Sequence, residues 1–291
     1  MPFTRMSHAE RGFSLVEMMA AMVVTGLALT VAGQFFVASR NSLSDEVVRQ
    51  ETLQGLRAAL DTLERDLRLV GACLPMTGGD FPPLSGTNGS TFDAITTRTA
   101  AARSDLTCIQ STIQATGSAA GTAAHATTLP LLKVDGFAVG QRGYIRGSNN
   151  SGEYFTITDV NASTNRLQIA AGLQNAYLNG SGVWAIDEHV YAIDALTYAP
   201  MNVLTLAING GAAFPFAFGV QAVKIQYELA SHCPPCDVVD MPTTAQWILV
   251  NQLYVTVTLR SSGPLSSGQY YTVTGTIGAK PRNFLPGSQV L

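Results

Sequence analysis

The chain is poor in charge and lacks the motifs of common enzymes. Only 13% of its 291 residues are Asp, Glu, Lys or Arg, and the formal net charge is −3. No basic run is present, so strong nucleic-acid binding is not indicated. No Gly-x-Ser-x-Gly motif, phosphate-binding loop or dinucleotide-binding fingerprint occurs. We therefore expect a protein that is not an enzyme and has no cofactor.

Histidine is scarce as well, and the four histidines are scattered along the chain. His189 lies beside Asp187 and Glu188, and these residue types can bind metals. We interpret the three as a charged surface turn and predict no metal site.

Charge is almost absent from one long N-terminal stretch. Between Phe13 and Val37 the only charged residue is Glu17. As a helix this stretch would be about 37 Å long, which is enough to cross a hydrocarbon core of about 30 Å. Arg5 and Arg11 precede it, so the positive-inside rule places the N-terminus in the cytoplasm and the rest of the chain outside the inner membrane. We assign residues 13–38 to a transmembrane helix.

Glu17 is the exception within this apolar stretch. A carboxylate near the centre of a bilayer costs about 2.5–3.5 kcal/mol on insertion scales, so an acid in a membrane segment indicates a functional site. A buried acid becomes tolerable once a cation pairs with it. Glu17 is therefore the first candidate functional residue.

The helix is predicted to continue beyond the membrane, over residues 39–71. No proline occurs between Phe13 and Val70, whereas Gly71 and Pro75 are typical stop signals. Leucines from Leu53 to Leu67 recur every three or four residues and form one apolar stripe. The stripe is too short to indicate a coiled coil, and we expect it to pack on the chain's own domain. A helix from 13 to 70 would be about 87 Å long.

The rest of the chain changes in composition. Residues 72–126 are rich in Gly, Ser and Pro and are predicted to form a variable, partly irregular loop region. Residues 127–291 are predicted to form a β-rich globular domain, so the fold class is α+β with a mainly antiparallel sheet. The predicted strands are Thr127–Val134, Gly143–Arg146, Tyr154–Val160, Arg166–Ala170, Val183–Tyr198, Val203–Ile208, Val220–Leu229, Ile248–Arg260 and Tyr270–Ile277.

Four cysteines follow the predicted membrane crossing, where disulfides are the default. Three pairings are possible. We predict Cys73–Cys108, which would fasten the loop region to the end of the helix, and Cys233–Cys236, which would close a Cys-Pro-Pro-Cys ring. A zinc site and a redox-active pair are the alternatives for such spacing.

The segment Gly12-Phe13-Ser14-Leu15-Val16-Glu17 resembles the class III signal of type IV pilins and of the pseudopilins of type II secretion. The resemblance implies that residues 1–12 are a leader, which prepilin peptidase removes by cutting between Gly12 and Phe13. It also implies that Phe13 is then N-methylated, and that Glu17 meets the N-terminal amine of a neighbouring subunit in a filament.

Further features resemble minor pilins of the PilW type. This resemblance rests on the motif Leu63-Glu64-Arg65-Asp66-Leu67-Arg68 at the end of the helix, on the strands Val223–Tyr227 and Val255–Ser261, and on the closing Arg282-Asn283. It implies a pilin-like fold and a minor pilin that starts or assembles a type IV pilus near its tip. The implied partners are other minor and major pilins and the inner-membrane assembly platform. The implied location is the inner membrane and the cell-surface filament, with the globular domain in the periplasm.

Two alternative functions remain open from the sequence. J-type pseudopilins of type II secretion share much of this layout, and the sequence separates them poorly from minor pilins. A membrane-tethered periplasmic binding domain that never polymerises is the alternative from another class.

Overall fold

A computed structural model describes residues 14–75, 83–114, 121–148, 151–230, 237–243 and 246–281. Gly12, Phe13, Cys233 and Cys236 lie outside the described residues.

One helix, α1 (Leu15–Leu69), forms the stem of the molecule. Its 55 residues correspond to a length of about 82 Å. Helix-breaking proline is absent from it, and Gly71 follows in a left-handed conformation (φ 76°) that ends the helix. The Gly71 N–H donates to the carbonyl of Arg98 at 2.9 Å, so the chain turns directly onto the sheet. The predicted rod is confirmed over the described part of the chain.

Within the described residues, the strands form two main antiparallel sheets and one small pair. The ten-stranded sheet contains β1–β3, β5–β8 and β10–β12, the four-stranded sheet contains β13–β16, and β4 pairs with β9. The strands are β1 (Leu84–Thr87), β2 (Ala94–Ala100), β3 (Gln110–Thr112), β4 (Gly121–Thr122), β5 (Thr128–Pro130), β6 (Arg142–Arg146), β7 (Gly152–Asn161), β8 (Arg166–Ile169), β9 (Tyr177–Leu178), β10 (Gly182–Asp194), β11 (Val203–Ile208), β12 (Ala213–Phe218), β13 (Val220–Leu229), β14 (Asp237–Val239), β15 (Val250–Pro264) and β16 (Tyr270–Ala279).

The four-stranded sheet, in the order β14-β13-β15-β16, packs against the second half of α1. The apolar stripe of the helix is buried there, as predicted, and Leu56, Leu60, Leu63 and Leu67 belong to the main core. Gly275 lies on the helix-facing side of β16. A Cβ atom at Gly275 would stand 2.7 Å from Leu60 Cδ1, so the absent side chain lets the helix approach the sheet closely.

The ten-stranded sheet has β10 at its centre, where it pairs with β2, β3, β6 and β11. A separate core cluster lies between β5–β8, β10 and the neighbouring loops. The two main sheets share one core cluster, and a parallel bridge between Phe92 and Val223 links the segment before β2 to β13. Buried Asp93 supports this junction, since its carboxylate accepts the Ile225 N–H at 2.8 Å.

The sequence did not predict the strands between residues 84 and 122. β1 and β2 pair along four residues and continue onto β10, so much of the segment read as a loop region is part of the larger sheet. β2 has the sequence AITTRTA, whose threonines give no strong apolar alternation. It is stabilised by pairing with a strand about 90 residues later. The α+β class and the mainly antiparallel sheets are confirmed.

Candidate functional site

The N-terminus of α1 is a capping box that includes Glu17. The Ser14 N–H donates to Glu17 Oε2 at 3.1 Å, and Ser14 Oγ accepts the Val16 N–H at 3.4 Å. Such reciprocal bonds satisfy amide groups that the first turn of a helix leaves unpaired. Glu17 therefore fixes the helix start, a role that its spacing from Ser14 would have revealed but that we did not predict.

No described part of the domain packs against the first half of α1. Every residue from 14 to 44 is exposed, although the stretch is strongly apolar. The large apolar side chains that are exposed include Leu15, Val16, Met18, Met19, Met22, Val23, Val24, Leu27, Leu29, Val31, Phe35, Phe36 and Val37. Helix α1 is long and apolar enough to cross a membrane. An apolar surface of this extent requires lipid or other protein chains around it.

The domain first touches the stem at Asp45. The backbone N–H and the hydroxyl of Ser266 both donate to the Asp45 carboxylate, each at 2.7 Å. These bonds hold the pKa of Asp45 below its usual value. One turn later, the guanidinium of Arg49 lies 5.8 Å from the centre of the Tyr271 ring.

At the other end of the stem, Asp66 joins α1 to the ten-stranded sheet. His189 Nδ1 lies 2.5 Å from Asp66 Oδ2, and the hydroxyl of Tyr191 donates to the same oxygen. His189 lies on β10, within the predicted strand Val183–Tyr198, so the interpretation of residues 187–189 as a surface turn was wrong. The charged residues beside His189 suggested an exposed turn, but in the strand Glu188 is buried and His189 is half-buried.

The contacts between Asp66, His189 and Tyr191 shift the pKa values of the aspartate and the histidine. The hydrogen bond with Asp66 raises the pKa of His189 against the opposing effect of burial, and Asp187 adds to the rise while Arg65 opposes it. Burial alone would raise the pKa of Asp66, but the bonds from His189 and Tyr191 outweigh burial and lower it. Each group thus favours the charged form of the other.

The stability of the folded domain should depend on pH through this pair. A raised His189 pKa contributes stability that is complete below the unfolded value of 6.5 and is lost as pH rises through the folded value. The lowered Asp66 pKa contributes stability that is lost as pH falls below 3.8. We expect His189→Gln to cost up to about 1 kcal/mol more at pH 5.5 than at pH 9, by denaturant unfolding in detergent. In an Asp66→Asn background this extra cost at pH 5.5 should shrink or reverse, because burial then lowers the His189 pKa and only Asp187 raises it. An undiminished extra cost in that background would contradict the assignment.

Glu188 forms a second buried cluster in the same sheet. Its carboxylate accepts the Arg98 Nε–H at 2.7 Å and a hydrogen bond from Arg142. Both guanidinium groups also lie against the ring of Tyr154, at 5.1 and 5.8 Å from its centre. This cluster connects β2, β6, β7 and β10, and nothing in the sequence signalled it.

The structure joins Cys73, just past the end of α1, to Cys108 by a disulfide. Their Cα atoms are 6.2 Å apart and 35 residues separate them. The cross-link ties the loop before β3 to the top of the stem. The proposed Cys233–Cys236 pair falls outside the described part of the chain.

Within the described residues, no group of three or more His, Cys, Asp or Glu side chains is arranged to hold a metal ion. The concentration of unusual features instead lies along the stem: a capped N-terminus with Glu17, an uncovered apolar half, and a second half fixed to two sheets. These features suit a protein that is anchored by its N-terminal helix and that associates with other protein chains through it.

Comparison with known proteins agrees with the N-terminal features. Residues 7–33 match the family model described as the prokaryotic N-terminal methylation motif. The pilin-like protein PilA3 of Thermus thermophilus is 29% identical over 94 residues, which cover 30% of this chain and 40% of that protein. The chain thus spans less than half of the length of this curated relative.

Among solved structures, the type IV-like pilin TTHA1219 from Thermus thermophilus covers 80% of this chain and 98% of its own length. The identity is 11% and the TM-score is 0.36. The score is low, and the fold assignment rests on the helix and strands themselves.

Proposed function

We propose that the chain, which carries the N-terminal methylation motif of pilins and one helix long and apolar enough to cross a membrane, is a minor pilin. In this proposal it takes part in the initiation and assembly of a type IV pilus, at or near the filament tip. The observation that carries the proposal is the stem. Its first 31 described residues, 14–44, are exposed and mostly apolar, and they carry a carboxylate three residues into the capped end.

Processing would prepare this stem for assembly. Prepilin peptidase would cut between Gly12 and Phe13, and Phe13 would be N-methylated at its new amine. The methylation motif over residues 7–33 supports this step. The mature chain would begin immediately before the Ser14–Glu17 capping box, four residues before Glu17 in the sequence.

Assembly would then replace the lipid around the apolar half of the stem with other protein chains. In the inner membrane, lipid surrounds the apolar half. In the filament, the corresponding halves of other minor and major pilins would replace the lipid, and Glu17 would pair with the N-terminal amine of a neighbour. The inner-membrane assembly platform would drive this transfer. The globular domain, in the periplasm and later on the filament surface, would have a structural role, as pilin-like families do.

Mass spectrometry of purified membrane and filament fractions tests the proposal. We expect an N-terminal peptide that starts at N-methylated Phe13. An intact 1–12 leader in the mature protein would overturn the proposal. Deletion of the gene separates the pilus from the secretion alternative: loss of pili and twitching supports a minor pilin, whereas loss of exoprotein secretion with normal pili would identify a pseudopilin.

A further inference from the structure

The tip of the β15–β16 hairpin reaches far along the stem toward the membrane. We call residues 265–269, between the two strands, the hairpin tip. Ser266 in this tip is bonded to Asp45, which is the first partly buried residue of α1. The succession of contacts along the helix gives the direction: Gly275 of β16 lies at Leu56 and Leu60, and Ser266 lies at Asp45.

The height of the hairpin tip above the apolar span follows from helix geometry. The first charge after the span is Arg40, the residue expected among the lipid headgroups. Asp45 lies five residues later, about 7.5 Å along the axis. A bilayer of about 40–45 Å with a hydrocarbon core of about 30 Å leaves about 5–8 Å for each headgroup layer. By this geometry the hairpin tip lies at the outer edge of the headgroup layer.

The chemistry of the hairpin tip suits such a surface. Ser266, Ser267, Gly268 and Gln269 are all exposed, and none of them is charged. The hydroxyl of Ser267 and the side-chain amide of Gln269 can donate to phosphodiester oxygens, whereas the hydroxyl and the backbone N–H of Ser266 are already bonded to Asp45. The carboxylate of Asp45 keeps its negative charge, and the positive charge of Arg49, one turn later on α1, partly offsets its repulsion of phosphate.

The strands next to the hairpin tip carry residue types that are common at membrane interfaces. Tyr270 is 46% exposed, and the guanidinium of Arg260 lies 4.5 Å from the centre of its ring. Arg49 and Tyr271 form a second such pair beside it. Tyrosine and arginine side chains combine an apolar body with a polar end, and both are common at the level of the headgroups.

We propose that, while the protein stands in the membrane, the hairpin tip rests on the phospholipid headgroup layer and donates hydrogen bonds to lipid phosphates. The Asp45–Ser266 contact is the positioning element that holds it there. The domain would then have two supports, the stem and the hairpin tip, which fix its height and its rotation about the stem axis. The proposal rests on the membrane-anchoring part of the proposed function and is independent of the pilus role.

Depth-dependent fluorescence quenching of the full chain in phosphatidylcholine–phosphatidylglycerol nanodiscs tests this. Three variants each add one tryptophan: Ser267→Trp in the hairpin tip, Ser148→Trp as the matched control, and Leu27→Trp in the span. Ser148 lines a cavity with Pro75 at the far end of the stem, about 36 Å of helix beyond Asp45. The signal of the native Trp184 and Trp247 is subtracted with the unaltered chain.

With a headgroup nitroxide lipid, Ser267→Trp should be quenched at least about twofold more strongly than Ser148→Trp. With an acyl-chain quencher, Leu27→Trp should be quenched most. Equal quenching of Ser267→Trp and Ser148→Trp, with Leu27→Trp still quenched, would overturn the hairpin contact and leave the anchoring intact. Failure of Leu27→Trp to be quenched would remove the anchoring and the hairpin contact together.

A further pair of variants tests the positioning role of Asp45. In the Ser267→Trp chain, Asp45→Ala should lower the headgroup quenching, since the hairpin tip loses both bonds to the stem. Glu46→Ala is the matched control, because Glu46 bonds to Gln50 on its own helix. Equal quenching in the two variants would overturn the role of Asp45.

Discussion

Glu17→Gln is expected to reduce the number of pili per cell at least about tenfold, almost as far as Glu17→Ala. Glutamine retains the capping-box geometry, since its side-chain oxygen can also accept the Ser14 N–H. It removes the negative charge, however, and with it the proposed pairing with a neighbour's N-terminal amine. A charge left without a partner in an apolar surrounding costs several kcal/mol, and each 1.4 kcal/mol changes an equilibrium about tenfold.

Ser14→Ala provides the matched control for this experiment. It removes the side-chain half of the capping box and leaves the Glu17 charge in place. Loss of an N-cap costs about 1 kcal/mol of helix stability, so pili should remain near the normal number. Electron microscopy and immunoblots for the variant provide the measurement. Normal piliation in Glu17→Gln together with few pili in Ser14→Ala would show that Glu17 acts only as a cap.

The stem was predictable because its signals are local. The apolar stretch, the absence of proline, the leucine stripe and Gly71 all lie within the helix or next to it, and each is read from neighbouring residues. Helical periodicity further fixed which face of the second half would be buried, and Leu56, Leu60, Leu63 and Leu67 are buried there.

The contacts that attach the domain to the stem were not predictable, because they join distant parts of the chain. Asp66 and His189 are 123 residues apart, and Asp45 and Ser266 are 221 residues apart. Side-chain chemistry alone gave His189 the wrong environment. Charged neighbours suggested a surface, whereas sheet pairing placed Glu188 beside two arginines, and packing of α1 placed Asp66 beside His189.

The same reasoning explains why β2 was missed. Its threonines and Arg98 are polar in sequence, yet Thr97 is buried and the guanidinium of Arg98 reaches Glu188 on β10. Strand propensity depends on the neighbours in the sheet, and these come from much later in the chain. A polar strand whose charge is neutralised only by folding leaves no local apolar pattern.

Glu188→Ala is expected to be among the most destabilising substitutions in the domain, by about 3–5 kcal/mol. Glu188 is 3% exposed, and it accepts hydrogen bonds from both Arg98 and Arg142. Its removal leaves two guanidinium groups in the sheet without their anion. The side chain of Arg142 is 34% exposed and can be rehydrated in part, which favours the lower end of the range.

Asp187→Ala is the matched control, since Asp187 precedes Glu188 on β10 and is only partly buried. Its carboxylate accepts a long bond, 3.4 Å, from Asn209, and its loss should cost less than about 1 kcal/mol. Thermal unfolding in detergent should show a Tm at least about 6 °C lower for Glu188→Ala than for the unaltered chain, and a much smaller shift for Asp187→Ala. Glu188→Gln should fall between them, because it keeps one acceptor but not the charge. Equal Tm values for Glu188→Ala and Asp187→Ala would mean that Arg98 and Arg142 find other partners or water when the carboxylate is lost, and that the ion cluster does not hold the sheet together.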